Sequence, residues 1–228
     1  MTINVLDNPV WHALAGPHRM HALGRGLARH YPRDMAPFSA IAEPSAAAYA
    51  DLAACLPAGT EARLFRPQVE PLPDGWEEIN RFSMLQMVAT RQPEGGGDLK
   101  VIALSQADAP AMLDLVAVTE PGPFGSRTPL LGRYLGIRHR DRLVAMAGER
   151  LRVPGFTEIS AVCTDPAYRG RGLAARLSLA VAADIQARGD TPFLAALATN
   201  TSAVRLYERL GFKVRGDVVF ASVRTPAG

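Results

Sequence analysis

The stretch Val162-Cys-Thr-Asp-Pro-Ala-Tyr-Arg-Gly-Arg-Gly-Leu-Ala-Ala-Arg176 decides the reading of this 228-residue chain. An apolar run from Phe156 to Cys163 reads as a strand buried on both faces. A short loop follows that carries Pro166, and two glycines then open an amphipathic helix over 171–188, closed by Gly189. Leu173, Leu177, Val181 and Ile185 fall on one stripe of that helix. Gly170 and Gly172 lack a Cβ, so a ligand can approach the backbone there. The first N–H groups of a helix have no partners within it and sit at the positive end of its dipole, which suits a diphosphate. Arg169 and Arg171 add positive charge beside them.

Working outward, Tyr134 to Arg138 and Leu143 to Leu151 read as an antiparallel hairpin feeding the Phe156 strand. Pro192 to Ala198 reads as a second buried strand, Thr201 to Leu210 as a helix closed by Gly211, and Val218 to Val223 as a last strand. Upstream, Val101 to Leu104 reads as a strand and Asp108 to Val118 as a helix. The order from there on is β-α-β-β-β-α-β-α-β, a mixed sheet around one strand–loop–helix unit. The first ninety residues are less periodic. Residues 9–31 suggest short helices, Ser45 caps a helix through Leu56, and Leu64-Phe65 and Phe82 to Ala89 suggest strands. The Gly run within Arg91 to Asp98 resists helix and strand alike and marks the expected boundary, giving an N-terminal α/β half over 1–97 and a second domain over 98–228.

Composition narrows the function classes. The chain is 48% hydrophobic and 21% charged with net charge +3, which suits a globular protein. Lys100 and Lys213 are the two lysines among 25 Lys and Arg, and the arginines are scattered except at Arg138, Arg140 and Arg142 and at Arg169 and Arg171. Nucleic acid is therefore not an expected partner. No apolar run reaches the ~18 residues of a membrane span and the start has no signal layout, so a soluble, cytoplasmic protein without a membrane partner is expected. Two cysteines, Cys55 and Cys163, make no disulfide framework. His12, His18, His21 and His30 crowd the N-terminal segment without the ligand set of a zinc site, and no metal is expected. Gly170, Gly172 and Ala175 also match a dinucleotide string, but several residues separate them from the strand, and Asp190 precedes the next strand instead of ending it.

The string Arg169-x-x-Gly172-x-Ala174 after a Val-x-x-Asp-Pro strand end resembles the acetyl-CoA signature of the GNAT N-acetyltransferase superfamily. Downstream, Asn200-Thr-Ser-Ala203-Val-Arg-Leu-Tyr207-Glu-Arg-Leu-Gly211-Phe212 resembles that superfamily's second signature. The resemblance covers roughly residues 98–223. Pro121-Gly-Pro-Phe124, Tyr134-Leu-Gly-Ile-Arg138 and Met146-Ala-Gly-Glu149 resemble a bacterial subgroup with an extended N-terminal half. It implies the acyl-CoA N-acyltransferase fold, α/β of the α+β kind: a mostly antiparallel sheet with a splayed central parallel pair, flanked by helices.

It also implies acetyl-CoA as co-substrate, with Val162, Cys163 and Thr164 on the pantetheine arm. Gly170, Arg171, Gly172, Leu173, Ala174 and Ala175, with Arg169, would surround the diphosphate. A backbone N–H near Val162 would polarise the thioester oxygen, Asn200 would bond the cofactor, and Tyr207 would protonate the departing thiolate. Asn200 and Tyr207 lie about two helical turns apart on one face, and a tyrosine of pKa ~10 is neutral at pH 7 and able to donate. Asn200 also fits a plain N-cap, and Tyr207 a core aromatic.

The acceptor is then a small-molecule or peptide amine, and direct transfer is expected because no serine or cysteine in the motif region has an attendant histidine. Glu158 and Glu149 are the candidate general bases; Glu158 shares strand parity with Ser160 and Val162. Pro121 to Phe124 and Tyr134 are candidates for choosing the acceptor. A non-catalytic acyl-CoA-binding or regulatory module is the alternative. The sequence leaves the amine, the role of residues 1–97 and the choice between monomer and homodimer open.

Overall fold

A computed structural model describes residues 4–90 and 101–227. The Gly run on which the expected boundary falls lies outside the described residues. In chain order the helices are α1 (Pro9–Ala15), α2 (Ala46–Cys55), α3 (Ala109–Thr119), α4 (Leu173–Ala187) and α5 (Thr201–Arg209). The strands are β1 (Ala28–His30), β2 (Ser39–Ile41), β3 (Glu61–Arg66), β4 (Glu77–Ala89), β5 (Ile102–Leu104), β6 (Tyr134–His139), β7 (Arg142–Val153), β8 (Phe156–Thr164), β9 (Thr191–Leu197) and β10 (Phe212–Arg224). Segment 9–31, expected to hold short helices, holds α1, a 3-10 turn and β1.

β1 and β2 form a small antiparallel ribbon, and the other eight strands form one sheet in the order β3-β10-β4-β9-β8-β7-β6-β5. All neighbours in it run antiparallel except β8 and β9. The sheet crosses the expected boundary at residues 97/98. β4, from the N-terminal side, lies between β9 and β10, both from the C-terminal side. The two stretches of sequence thus share one hydrogen-bonded sheet. Local composition could not show this, because the pairing of β4 with β10 joins residues more than a hundred positions apart.

Local chemistry explains most elements. Ser45 Oγ accepts from the N–H of Ala48 and starts α2. The β6–β7 hairpin turns through Arg140 (φ 47°) and Asp141 (φ 63°), both left-handed, as a two-residue turn between right-twisted strands requires. Leu173, Leu177, Val181 and Ile185 are buried as one stripe of α4 against β6–β9, each side chain contributing about 1.5–3 kcal/mol. The opposite face of the sheet is covered by α3 beside β5–β8 and by α1 with the N-terminal loops beside β7, β9 and β10. Among the described residues no helix is long and apolar enough to cross a membrane.

Candidate active site

The site begins where two strands part. β8 and β9 pair in parallel at only three positions, the last being Glu158 with Phe193. Beyond it, β9 continues along β4 from Phe193 to Leu197, while β8 stays with β7. A β-bulge reinforces the divergence. Ser160 lies opposite Gly148 and Cys163 opposite Met146, so Ala161 and Val162 together face the single residue Ala147. Ala161 takes φ 53°, rare for a residue with a Cβ.

A cleft of about 1130 Å³ opens in this gap, lined on its two sides by Ile159–Thr164 of β8 and Leu194–Leu197 of β9. Gly170, Gly172, Leu173, Ala174 and Ala175, at the start of α4, form one end. Gly172 stands at the N-cap with φ 72°, so the helix begins at Leu173 rather than 171, and no side chain caps it. Gly170 has φ 77°, and a Cβ added at either glycine would meet no atom within 4 Å. These glycines therefore serve the left-handed backbone, and the space above them is open. Arg169 lines the cleft. Arg171 does not; its guanidinium stacks over the Tyr168 ring, 5.0 Å from the centroid. Asp165 fixes the loop by accepting from the N–H of Ala167 at 2.8 Å and pairing with Arg142.

Val162, Cys163 and Thr164 all line the cleft. Thr164 Oγ1 is buried without a hydrogen-bond partner, and burial pushes the Cys163 thiol up. Asn200 and Tyr207 line the same space from α5. Asn200 is the N-cap, its Oδ1 accepting from the N–H of Ala203 at 3.1 Å and from Ser202 Oγ at 2.9 Å. Tyr207 is 9% exposed and burial pushes its hydroxyl up to about 12. It is therefore a neutral donor across the physiological range.

Several expected roles meet a different geometry. Glu158 does not share a face with Val162, because the bulge at Ala161 reverses the alternation. Val162 packs against the α4 cluster. Glu158 is 1% exposed and accepts two hydrogen bonds from Arg150, at 2.9 and 2.7 Å. Glu149 is held by Arg188 at the end of α4, at 2.6 Å. Neither carboxylate lines the cleft. Pro121, Gly122 and Pro123 line it, whereas Phe124 and Tyr134 do not. Tyr134 is buried in the α3 cluster with Phe124 edge-on at 5.7 Å.

The sequence reading missed the other wall of the cleft. It is built largely from the N-terminal ninety residues: Phe38, Arg63, Phe65, Ile79, Phe82 and Met84 line it with Phe220 of β10. Glu120, at the end of α3, lines it too. Period-two alternation in β3 and β4 was the available signal, but which face it addressed depended on partner strands unknown from sequence.

Residues 134–221 match the family model described as FR47-like protein. The N-alpha-acetyltransferase RimI of Mycobacterium tuberculosis is 36% identical over 122 residues, covering 49% of this chain and 76% of that one. A crystal structure from Novosphingobium aromaticivorans, assigned to the GNAT acetyltransferase family, superposes with TM-score 0.90 at 40% identity, over 99% of this chain and 100% of that one. A GCN5-related N-acetyltransferase from Kribbella flavida shares the fold, with TM-score 0.63 at 18% identity over 96% and 94% of the two chains. With the parted strands, the glycine-opened helix and the second signature on one cleft, and with these relatives, the chain belongs to the GNAT superfamily of N-acetyltransferases.

Proposed function

We propose that this protein transfers the acetyl group of acetyl-CoA directly to a primary amine. The observation that carries the reading is that Tyr207, the uncapped start of α4 and the unpaired stretch of β8 all open on one cleft. The fit to the co-substrate is chemical. Open space lies above Gly170 and Gly172 at the positive end of a helix, with Arg169 alongside. Thr164 Oγ1 offers an unused polar atom further along. Acetyl-CoA supplies the activated acetyl group: the amine nitrogen bonds to the carbonyl carbon as the carbon–sulfur bond breaks.

The chain's residues do the rest. N–H groups of β8 beyond Glu158, freed by the departure of β9, hold the negative charge that develops on the thioester oxygen. Tyr207 gives its proton to the departing thiolate. Asn200 fixes the start of α5, which holds Tyr207 in place. The base is assigned to neither Glu158 nor Glu149, since neither lines the cleft and each is held by an arginine. Glu120 is the lining carboxylate that engages no ion pair among the described residues, and we assign the amine's proton to it. Cys163, buried with its thiol pushed up, forms no acyl-enzyme.

Calorimetry with acetyl-CoA, followed by thiol release in the presence of an amine panel, tests the reading. Binding with amine-dependent release is expected. Binding without release for any amine would favour a non-catalytic acyl-CoA-binding module, and absence of binding would overturn both.

A further inference from the structure

We propose that the acceptor is a monoamine whose amino group is carried on an uncharged aromatic body, seated against the row Phe65–Phe220–Phe82; this rests on the acetyltransferase reading above. The row is a product of strand register. Phe220 of β10 lies opposite Phe65 of β3 on one side and Phe82 of β4 on the other. The ring centroids are 5.0 Å apart for Phe65 and Phe220, and 6.2 Å for the stacked pair Phe82 and Phe220. Phe38 closes the row edge-on, 5.9 Å from Phe220. The result is a continuous aromatic wall across three strands, facing the cleft.

The wall is open to solvent at its Phe82 end, while Phe65 and Phe38 are buried behind it. Phe82 is 40% exposed and Ile79 is 42% exposed. Ile79 reaches the cleft because of a bulge: Asn80 pairs with Ser222 and Glu78 with Val223, so Ile79 has no partner. Together with Leu197, these supply three of the nine large apolar side chains left exposed among the described residues. Apolar surface held open inside a concave site is what an apolar ligand body requires.

Charge excludes the other amine classes. At this end of the cleft Arg150 is matched by Glu158 and Arg63 by Glu61. Among the described residues neither of these guanidinium groups is free to receive a carboxylate or phosphate on the acceptor; the lining arginines without an ion pair are Arg169, ahead of α4, and Arg209 of α5. Glu120 supplies one unpaired negative charge, and it stands at the C-terminal end of α3, where the helix dipole adds to it. One such locus suits one ammonium group and does not suit a polyamine.

The same chemistry is offered by a free arylalkylamine and by a peptide whose first residue is phenylalanine, so the test carries both. Acetyl-CoA-dependent thiol release is measured with 2-phenylethylamine, a tripeptide amide beginning with Phe, phenylalanine, 2-aminoethyl phosphate and spermidine. At least one of the first two should exceed each of the last three by about tenfold or more in kcat/KM; which of the two leads identifies the source. Phe82→Ser should reduce that kcat/KM by about tenfold through KM, while the acetyl-CoA Kd and the Tm stay near wild type.

Preference for spermidine or for an acid-bearing amine would overturn the proposal, as would a Phe82→Ser variant with unchanged selectivity. So would release from none of the panel when acetyl-CoA binds, or a dimer that Phe82→Ser dissociates without altering selectivity. Binding without release from any amine favours the non-catalytic module instead; where thiol release is seen with any amine in those cases, the acetyltransferase reading stands although this proposal falls. Failure of calorimetric binding is the distinct result that removes that reading, and this one with it.

Discussion

Arg150 and Glu158 are joined side by side across β7 and β8, Nε donating to Oε2 at 2.9 Å and Nη2 to Oε1 at 2.7 Å, with both side chains buried. The pairing follows from a local irregularity. Glu149 lies opposite Ile159 and Arg152 opposite Thr157, so Arg150 and Leu151 together face the single residue Glu158. The guanidinium also lies over the Phe38 ring, 4.8 Å from its centroid. Glu158→Gln would leave that guanidinium without a counter-charge in a buried place. The variant should lose about 3 kcal/mol of unfolding free energy, read by urea denaturation, and the protein that stays folded should keep the wild-type pH profile. A pH profile that loses its acid limb would return the base role to Glu158.

His18 bears on stability in acid. It is 5% exposed, shares a 2.9 Å hydrogen bond with Tyr31 Oη, and is lowered to about 4, first by burial and then by His21 and Arg152. Between pH 6.5 and 4 the unfolded chain binds a proton at this position and the folded chain does not. Stability is therefore full above pH 6.5 and falls as pH drops toward 4. About 2 kcal/mol should be lost between pH 7 and 5 from this group. His18→Gln, which keeps a hydrogen-bonding partner for Tyr31, should flatten that slope in urea titrations at a series of pH values.

The difference between Glu158 as expected and Glu158 as found shows where sequence reading stops. The strand itself was legible from its apolar run, as were α4 from its four-residue stripe and the β6–β7 hairpin from its polar turn. The faces of β8 were not legible, because alternation was counted through a bulge that no residue type announces: Ala161 has a left-handed φ without being Gly, Asn or Asp. The signature residues Gly170, Gly172, Asn200 and Tyr207 do meet on one cleft, since their spacing is set within one strand–helix–strand–helix run. β10 was expected from Val218 but starts at Phe212. Its first half, Lys213 to Asp217, has little apolar alternation and is held by backbone pairing to β4. The acceptor wall depends on the same long-range pairing, so it became visible only when β3, β10 and β4 were set side by side.

Glu120→Gln probes the proton taken from the amine. Removing the carboxylate should reduce kcat/KM by about a hundredfold near pH 7, within the usual range for one general acid–base group. The deficit should shrink as pH rises toward the pKa of the amine, because the acceptor then arrives already neutral. An equal deficit at every pH would show that Glu120 shapes the cleft without dealing with the amine's proton.

Tyr207→Phe separates acid catalysis from packing, since the ring remains against Phe212, 6.0 Å between centroids. Turnover should fall by about a hundredfold or more and acetyl-CoA affinity far less. The wild-type hydroxyl is pushed up to about 12, so its protonated, donating form persists through pH 10 and activity that depends on it declines only above about pH 11. The leaving group gives the decisive comparison. A thiol near pKa 8.5 departs more readily when it is protonated as the bond breaks, whereas a more acidic thiol departs as the free thiolate. The deficit of Tyr207→Phe should therefore shrink for an acetyl thioester whose thiol is more acidic than that of coenzyme A. A deficit of the same size for both thioesters would mean that Tyr207 shapes the cleft without giving up its proton.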